Sequence, residues 1–217
     1  MIRDSAVDLL MGRLGNRSNA TLQQAVIDEM VFVQENVLEG ALELPWFCLS
    51  EKSYAVTTPS EERLALPSDF LAEWEEGDIF LLESDGSQTP LIRADWDVIK
   101  IQDSLKGSGK PTHYDIGGDY YLFRKIPDDT YTIQQRYYQR QTSLAGSYGD
   151  AANVENNWLK WASDWLLAET GIRVAKYRLQ SEKMANLFVN DVVAARERIR
   201  LKNIAMIESN KIRSMGD

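Results

Sequence analysis

Apolar residues recur every three or four positions near the start of the chain, which is the spacing of one face of an α-helix. One such face covers residues 2–14 and a second covers residues 22–37. Ser18 or Asn19 can cap the second helix, because either side chain accepts a hydrogen bond from a free backbone amide. Two helices are therefore predicted before Pro45-Trp46-Phe47, where two aromatic rings are expected to anchor a bend.

The period changes to two between Ser53 and about Thr142, as expected for β-strands. Four short strands are predicted, separated by turn residues: Ser53–Thr58, Glu62–Leu66, Asp78–Glu83 and Pro90–Arg93. Pro67–Leu71 is predicted to form one helical turn, and Trp96–Leu105 a short helix.

The clearest alternation lies in Tyr120–Arg124 and Tyr131–Tyr138, which are rich in aromatic and β-branched residues. Pro127-Asp128-Asp129 lies between them and has the composition of a turn. The two segments are therefore predicted to pair as a hairpin, and the rest of the chain is predicted to be organised around it.

The helical period returns after a polar linker, Gln139–Glu155. Asn156 or Asn157 can cap a helix in which Trp158, Trp161 and Trp165 share one face, and this face is predicted to be core. Ser181 can open a last helix. Its predicted buried stripe consists of Met184, Phe188, Val192, Ala195 and Ile199. The stripe thins after Ile199, and the periodicity is lost from Ile204 onward.

These elements predict an α+β fold: a bundle of two N-terminal and two C-terminal helices, carrying an inserted antiparallel β-subdomain. The bundle is expected to comprise residues 1–50 and 156–203, with the insertion at about 53–142, in a single domain covering residues 1–217. Residues 204–217 are expected to become ordered only against a partner.

Charge is unevenly distributed over the 217 residues, whose net charge is −9. Residues 172–217 hold 10 Lys/Arg and 5 Asp/Glu, a net charge of +5, and residues 1–171 have a net charge of −14. An acidic body repels nucleic acid. A lone Cys48 excludes an intrachain disulfide framework, no apolar run is long enough to span a membrane, and the first ten residues do not resemble a signal peptide. A reducing cytoplasm is therefore the expected site of synthesis.

Candidate catalytic residues are sparse. His113 is the only histidine, and no Ser/His/Asp, Cys/His or metal-ligand set follows from spacing. Three carboxylate pairs, Glu61-Glu62, Glu75-Glu76 and Asp128-Asp129, lie in polar loops. The loop Lys106–Lys110 lacks the spacing of a phosphate-binding loop. No catalytic, cofactor-binding or metal-binding residue is predicted, and the chain is interpreted as structural.

Several segments resemble the head-to-tail adaptor (connector, tail accessory or tubular-A-like) proteins of tailed bacteriophages. They are Leu44-Pro45-Trp46-Phe47, Ala65–Leu71, Tyr114-Asp115-Ile116 with Gly118-Asp119, Arg136-Tyr137-Tyr138 and the helix Asn156–Trp165. The layout of helices, bend, hairpin and helical pair is similar over nearly the whole chain. Two departures are the single Pro127 in the hairpin turn and the order Ser143-Leu144 after the hairpin.

This resemblance implies a homo-oligomeric ring, typically of twelve copies, at the head–tail junction of the virion and assembled in the cytoplasm of the bacterial host. Such a ring binds the portal protein on one side and a tail nozzle or tail tube protein on the other. Packaged DNA passes through its channel without specific binding, and no membrane or cofactor is involved.

Contact residues are predicted on two parts of the chain. Apolar residues within a basic collar are predicted to bind the portal: Arg198, Arg200, Lys202, Ile204, Ile207, Lys211, Ile212 and Arg213. Two loops are predicted to project toward neighbouring subunits or the tail, through Lys106, Lys110, Pro127, Asp128 and Asp129. Two other functions stay open: a peptidoglycan-degrading tail enzyme, and a nucleic-acid-binding protein that uses the basic last helix.

Overall fold

The computed structural model describes residues 1–15, 19–41, 43–74, 78–95, 97, 107–150 and 154–214, with the backbone alone for 207–214. The chain has an α+β fold and divides into two compact units. One unit consists of Met1–Cys48 with Gln141–Asp217, and the other of Leu49–Arg140. The predicted helix Trp96–Leu105 lies outside the described residues, apart from Asp97.

The N-terminal helices are α1 (Arg3–Arg13) and α2 (Ala20–Phe32). The Asn19 side chain caps α2 by accepting a 3.0 Å hydrogen bond from the Leu22 amide, as the sequence predicts. The helix continues as a π-helical turn, Val33–Leu38, and a 3₁₀ turn then forms at Trp46–Cys48.

The C-terminal helices are α3 (Asn157–Trp161), α4 (Ser163–Arg173) and α5 (Glu182–Ser214), and α4 runs into a π-helical turn, Val174–Arg178. The predicted caps are confirmed. Asn156 Oδ1 accepts from the Leu159 amide at 3.1 Å, and Ser181 Oγ accepts from the Met184 amide at 3.3 Å.

The core of this unit is formed where α4 packs along α5 and around an aromatic cluster. Gly171 on α4 lies against Phe188 on α5 so closely that a Cβ would stand 2.7 Å from the ring, so only glycine permits this approach. The Trp158 ring meets Phe47 edge-on at 4.9 Å and Trp165 at 6.1 Å. The predicted tryptophan face is confirmed for Trp158 and Trp165, which are 0% and 8% exposed.

The same expectation is wrong for Trp161, which is 45% exposed. A continuous helix would place the three tryptophans on one face. The helix is interrupted at Ala162, whose φ of −136° and ψ of 31° are not helical. Trp158 and Trp161 both precede this interruption, so their different burial follows from the elements that pack against α3. Phe47 and Trp165 cover Trp158, whereas Trp161 lies beside Trp46 and remains exposed.

A buried polar network links the π-helical turn after α2 to the start of α3. Glu39 Oε1 accepts hydrogen bonds from Gln34 Nε2 at 2.9 Å and Trp158 Nε1 at 3.1 Å. Asn156 Nδ2 donates to Gln34 Oε1 at 3.0 Å. Because buried polar groups are costly unless they are paired, this network specifies how these segments meet.

The β-rich unit contains short strands in three sheets. The strands are β1 (Ser53–Val56), β2 (Arg63–Ala65), β3 (Phe70–Glu73), β4 (Ile79–Leu82), β5 (Gln88–Pro90), β6 (Ile92–Arg93), β7 (His113–Gly117), β8 (Tyr120–Arg124), β9 (Thr132–Gln135) and β10 (Tyr137–Gln139). The sheet orders are β1-β9-β4-β5, β10-β3 and β2-β8-β7-β6. All neighbouring strands are antiparallel except the pair β6 and β7.

The predicted hairpin is wrong in its pairing. β8 pairs with β7 and β2, whereas β9 belongs to another sheet and pairs with β1 and β4. The hairpin that forms joins β7 to β8 through Gly118-Asp119, where Gly118 adopts a φ of +62° that favours glycine. Pro127–Asp129 instead carries the chain from one sheet to the other. The helical turn predicted at Pro67–Leu71 is also wrong at its end, where Phe70 begins β3.

The core of the β-rich unit lies between the two larger sheets. Its buried residues are Ile79, Leu81, Leu91, Tyr114, Tyr121, Phe123 and Ile133. Tyr121 and Phe123 lie on the buried face of β8 and Tyr120 on the exposed face, which confirms the predicted alternation.

Candidate functional site

The C-terminal helix α5 has exposed side chains toward its end. Among its described side chains, those up to Met206, the last buried one is Ile199, and Asn203 is half-buried. Ile204, Ala205 and Met206 are all exposed, although three consecutive residues cover about 200° of a helix circumference. The chain remains helical to Ser214. The loss of periodicity at Ile204 therefore marks the loss of internal packing, and not the end of the helix.

The predicted portal-binding residues differ in how free their side chains are. Arg198 forms an ion pair with Asp164 on α4, and Arg200 hydrogen bonds to Glu197 at 2.9 and 3.0 Å, which lowers the pKa of that carboxyl. Lys202 is exposed and forms no ion pair with any described residue, and Ile204 is 44% exposed. The side chains of Ile207, Lys211, Ile212 and Arg213 lie outside the described part of the chain.

Asn203 links α5 to the proline-aromatic bend. Its Oδ1 accepts a 2.7 Å hydrogen bond from the Trp46 amide, and its Nδ2 donates to the Leu44 carbonyl at 3.4 Å. The Trp46 ring lies 6.3 Å from the exposed Trp161 ring. The bend thus anchors on the core, as predicted, and it leaves two tryptophans near the surface.

A cavity of about 470 Å³ lies beside this link. It is lined by Val37, Gly40, Ala41, Glu43, Pro45, Trp165, Glu169, Arg196, Ile199, Arg200 and Asn203. Two glutamates balance its two arginines, so the cavity offers no net charge to a ligand. Sequence reasoning missed it, because the helical spacing of Arg196, Ile199 and Asn203 does not show which elements face them.

The two predicted contact loops contain fewer free side chains than expected. Lys106 lies outside the described residues, and Lys110 is paired with Glu83, which lowers the pKa of that carboxyl. Pro127 is buried, and its carbonyl accepts from the Ser60 amide at 2.7 Å, so its projection from the surface is contradicted. Asp128 and Asp129 are exposed. Asp128 accepts a 2.6 Å bond from the Tyr131 hydroxyl, which raises the pKa of Tyr131 to about 12.

A groove along strand β2 was not found from the sequence. Its volume is about 420 Å³ and it is lined by Thr58, Glu61, Glu62, Arg63, Leu64, Ala65 and Tyr120. β2 is an edge strand of its sheet, with β8 on one side and no described strand on the other. The sequence predicts a strand at this position. Whether that strand lies at the edge or in the centre of a sheet depends on pairing partners that are distant in sequence.

The candidate catalytic groups have structural partners. His113 Nδ1 lies 2.9 Å from the Thr112 hydroxyl, and Glu62 pairs with Arg124 at 3.0 Å. Cys48 is buried, and burial is the main cause of a strongly raised pKa, which keeps the thiol protonated and unreactive. Glu75-Glu76 lies outside the described residues. Within the described ranges, no three His, Cys, Asp or Glu residues cluster in a geometry that holds a metal.

Charge is concentrated in the β-rich unit. Residues 49–140 carry 17 Asp/Glu and 10 Lys/Arg, a net charge of −7, whereas the helical unit carries 16 and 14, a net charge of −2. The positive charge of residues 172–217 is thus more than offset by carboxylates elsewhere in the same unit. The β-rich unit is the part best suited to a cationic partner or to the repulsion of DNA.

None of the helices described here combines the length and apolar character needed to cross a membrane. No protein-family model matches the chain, and no curated protein is significantly similar to it in sequence.

Proposed function

We propose that the protein is a structural component of a tailed-phage virion, a head-to-tail adaptor that joins the portal to the tail. The observation that carries this proposal is the end of α5, where Ile204, Ala205 and Met206 are all exposed although the helix continues to Ser214. A helix of this kind gains little from its own unit and is stabilised by entering a groove on a partner. The resemblance of the bend and strand motifs to such adaptors supports the same role.

In this role the copies form a ring, typically of twelve, with the helices of each copy arranged as a bundle from which the β-subdomain is inserted. The end of α5, from Arg198 to Arg213, docks on the portal. The exposed Asp128 and Asp129, with the loop that contains Lys106 and Lys110, contact neighbouring subunits or the tail nozzle or tube. The ring is located at the head–tail junction after assembly in the host cytoplasm.

The negative charge of the β-rich unit, −7, supports passive passage of DNA, because an acidic wall repels a polyanion. The proposed role is structural and not catalytic. It needs no cofactor, since joining two rings requires only complementary surfaces.

Size-exclusion chromatography with light scattering tests the proposal. It measures the mass of the purified protein alone and mixed with the portal ring of its own phage. The expected result is a complex whose added mass corresponds to about one copy per portal subunit. A mixture in which both components elute separately at micromolar concentration would contradict the proposal.

The same preparation separates the other two functions. A tail enzyme would release reducing ends from peptidoglycan, and the activity would disappear when Glu61 and Glu62 are replaced by Gln. A nucleic-acid-binding protein would bind duplex DNA with an affinity that falls steeply with salt. The adaptor role predicts neither result.

A further inference from the structure

We propose that the open edge of strand β2 docks an extended segment of another polypeptide, in which an apolar residue lies a few positions from a Lys or Arg residue. This inference concerns the β-rich unit alone. It goes beyond the proposed adaptor role, because it requires no ring and no portal.

The backbone of β2 presents unpaired groups to the groove. The Phe123 amide donates to the Glu62 carbonyl at 2.7 Å, and the Leu66 amide donates to the Asp119 carbonyl at 2.9 Å. Residues of an antiparallel ladder alternate between those that bond to the neighbouring strand and those that point away from it. Arg63 and Ala65 therefore direct their N–H and C=O groups outward, where none of the described residues bonds to them.

The side chains beside this edge form a small apolar surface. Leu64 packs on the core, whereas Ala65 lies opposite Tyr120 on the outer face of the sheet. Tyr120 is 42% exposed, and the Arg63 guanidinium stands 5.8 Å from its ring centre. An apolar side chain on an incoming strand would cover Ala65 and the Tyr120 ring. The backbone of that strand would form hydrogen bonds with the outward N–H and C=O groups of Arg63 and Ala65.

A carboxylate lies at one end of the groove. Glu61 precedes β2 and lines the groove. It is exposed, and its side chain pairs with no other described residue. Glu61 lies four positions before Ala65, about 13 Å at the usual rise of a strand. An incoming strand with a basic residue about four positions from its apolar residue would therefore place a cation at Glu61.

Open edges are often guarded by charged residues against unwanted pairing. Here the edge borders a cavity of about 420 Å³ with an exposed aromatic ring. Charged residues that only prevent unwanted pairing would need neither the cavity nor the ring. The guard explanation predicts that no peptide binds at this edge, so the experiment distinguishes the two.

The experiment selects displayed ten-residue random peptides on the full-length protein, with counter-selection on the variant Ala65→Pro. Proline removes the outward N–H of Ala65 and is tolerated on an edge strand whose N–H faces solvent. Ala65→Thr is the matched control, because it keeps the N–H and favours a strand. Near-ultraviolet circular dichroism checks that each variant is folded.

We expect the enriched peptides to carry Lys or Arg about four positions from an apolar residue. Their affinity should be retained by Ala65→Thr and fall about tenfold or more in Ala65→Pro, through loss of a backbone hydrogen bond and steric conflict. Glu61→Lys should weaken binding about 2- to 5-fold. Glu51→Lys, an exposed carboxylate outside the groove, should leave it unchanged.

Amide hydrogen exchange on the wild-type protein gives a readout that needs no variant. The Arg63 and Ala65 amides should exchange quickly in the free protein and become protected when a selected peptide is added. Three results would overturn the proposal: no peptide enriched over Ala65→Pro, enriched peptides without basic residues, or no added protection of these amides. A wild-type dimer that Ala65→Pro dissociates would show that a second copy occupies the edge, and would overturn it as well.

Discussion

Asn203 on helix α5 accepts a 2.7 Å hydrogen bond from the backbone amide of Trp46, which lies 157 residues earlier in the chain. A single side chain therefore holds the proline-aromatic bend against the last helix, four residues after the last fully buried position of that helix. The bond lies between the buried Ile199 and the exposed side chains of Ile204, Ala205 and Met206.

Replacement of Asn203 by alanine should lower the free energy of unfolding by about 1–3 kcal/mol, because the half-buried Trp46 amide loses its acceptor. Urea unfolding followed by tryptophan fluorescence measures this change. The matched control is Asn190→Ala on the same helix, where the side chain is exposed, and its effect should stay within about 0.5 kcal/mol. Equal effects of the two variants would contradict the role assigned to Asn203.

Deletion of residues 204–217 should leave the unfolding free energy nearly unchanged and abolish binding to the portal, because the cut follows Asn203 and spares the core. Deletion from Arg200 onward should abolish portal binding and also destabilise the protein, since it removes Asn203. Urea midpoints and co-sedimentation with portal rings measure the two effects separately. If the protein truncated after Asn203 still joined portal rings, the docking assignment for the end of α5 would be wrong.

Charge reversal at two lysines of α5, Lys202 and Lys183, tests the proposed portal contact. Lys202→Glu should weaken portal binding, and more so at low ionic strength, because Lys202 is an exposed cation without a described partner close to the proposed contact. Lys183→Glu should have little effect, since Lys183 lies near the other end of α5. Binding titrations at two salt concentrations test this, and equal losses for both variants would indicate nonspecific attraction.

The tryptophans of α3 should differ in their effect on stability. Trp158→Ala should cost about 3–5 kcal/mol, because it empties a fully buried site and removes the Nε1 donor to Glu39. Trp161→Ala should cost about 1 kcal/mol or less, since that ring is 45% exposed. Thermal and urea unfolding of both variants measure the difference, and similar costs would show that Trp161 is core after all.

Stability should decrease in alkali between about pH 10 and pH 12. Burial and a 2.9 Å hydrogen bond to Asp69 raise the pKa of Tyr137 to about 12, compared with about 10 in an unfolded chain. A pKa raised by folding means that the neutral phenol stabilises the native state below pH 10, and that this contribution is lost as the pH rises toward 12. Urea midpoints across this range should fall, and Tyr137→Phe should reduce the slope. An unchanged slope in that variant would exclude this cause.

Local sequence determined where most helices begin and which face of a strand is buried. Asn19, Asn156 and Ser181 cap their helices because a side-chain oxygen satisfies an amide three residues later, an interaction that lies within one short segment. The alternation of Tyr120 to Phe123 likewise assigns each side chain to one face of β8. Partners distant in sequence are not needed for either result.

Tertiary structure alone decided which elements meet. The alternation in β8 and β9 is the same whether they pair with each other or, as they do, lie in separate sheets, because period two specifies faces and not neighbours. The same limit hid the open edge of β2. It also hid the exposure of Trp161, because helical spacing does not show that Phe47 and Trp165 cover Trp158 and leave Trp161 exposed. The bond from Asn203 to Trp46 joins two segments whose proximity depends on the packing of the whole helical unit.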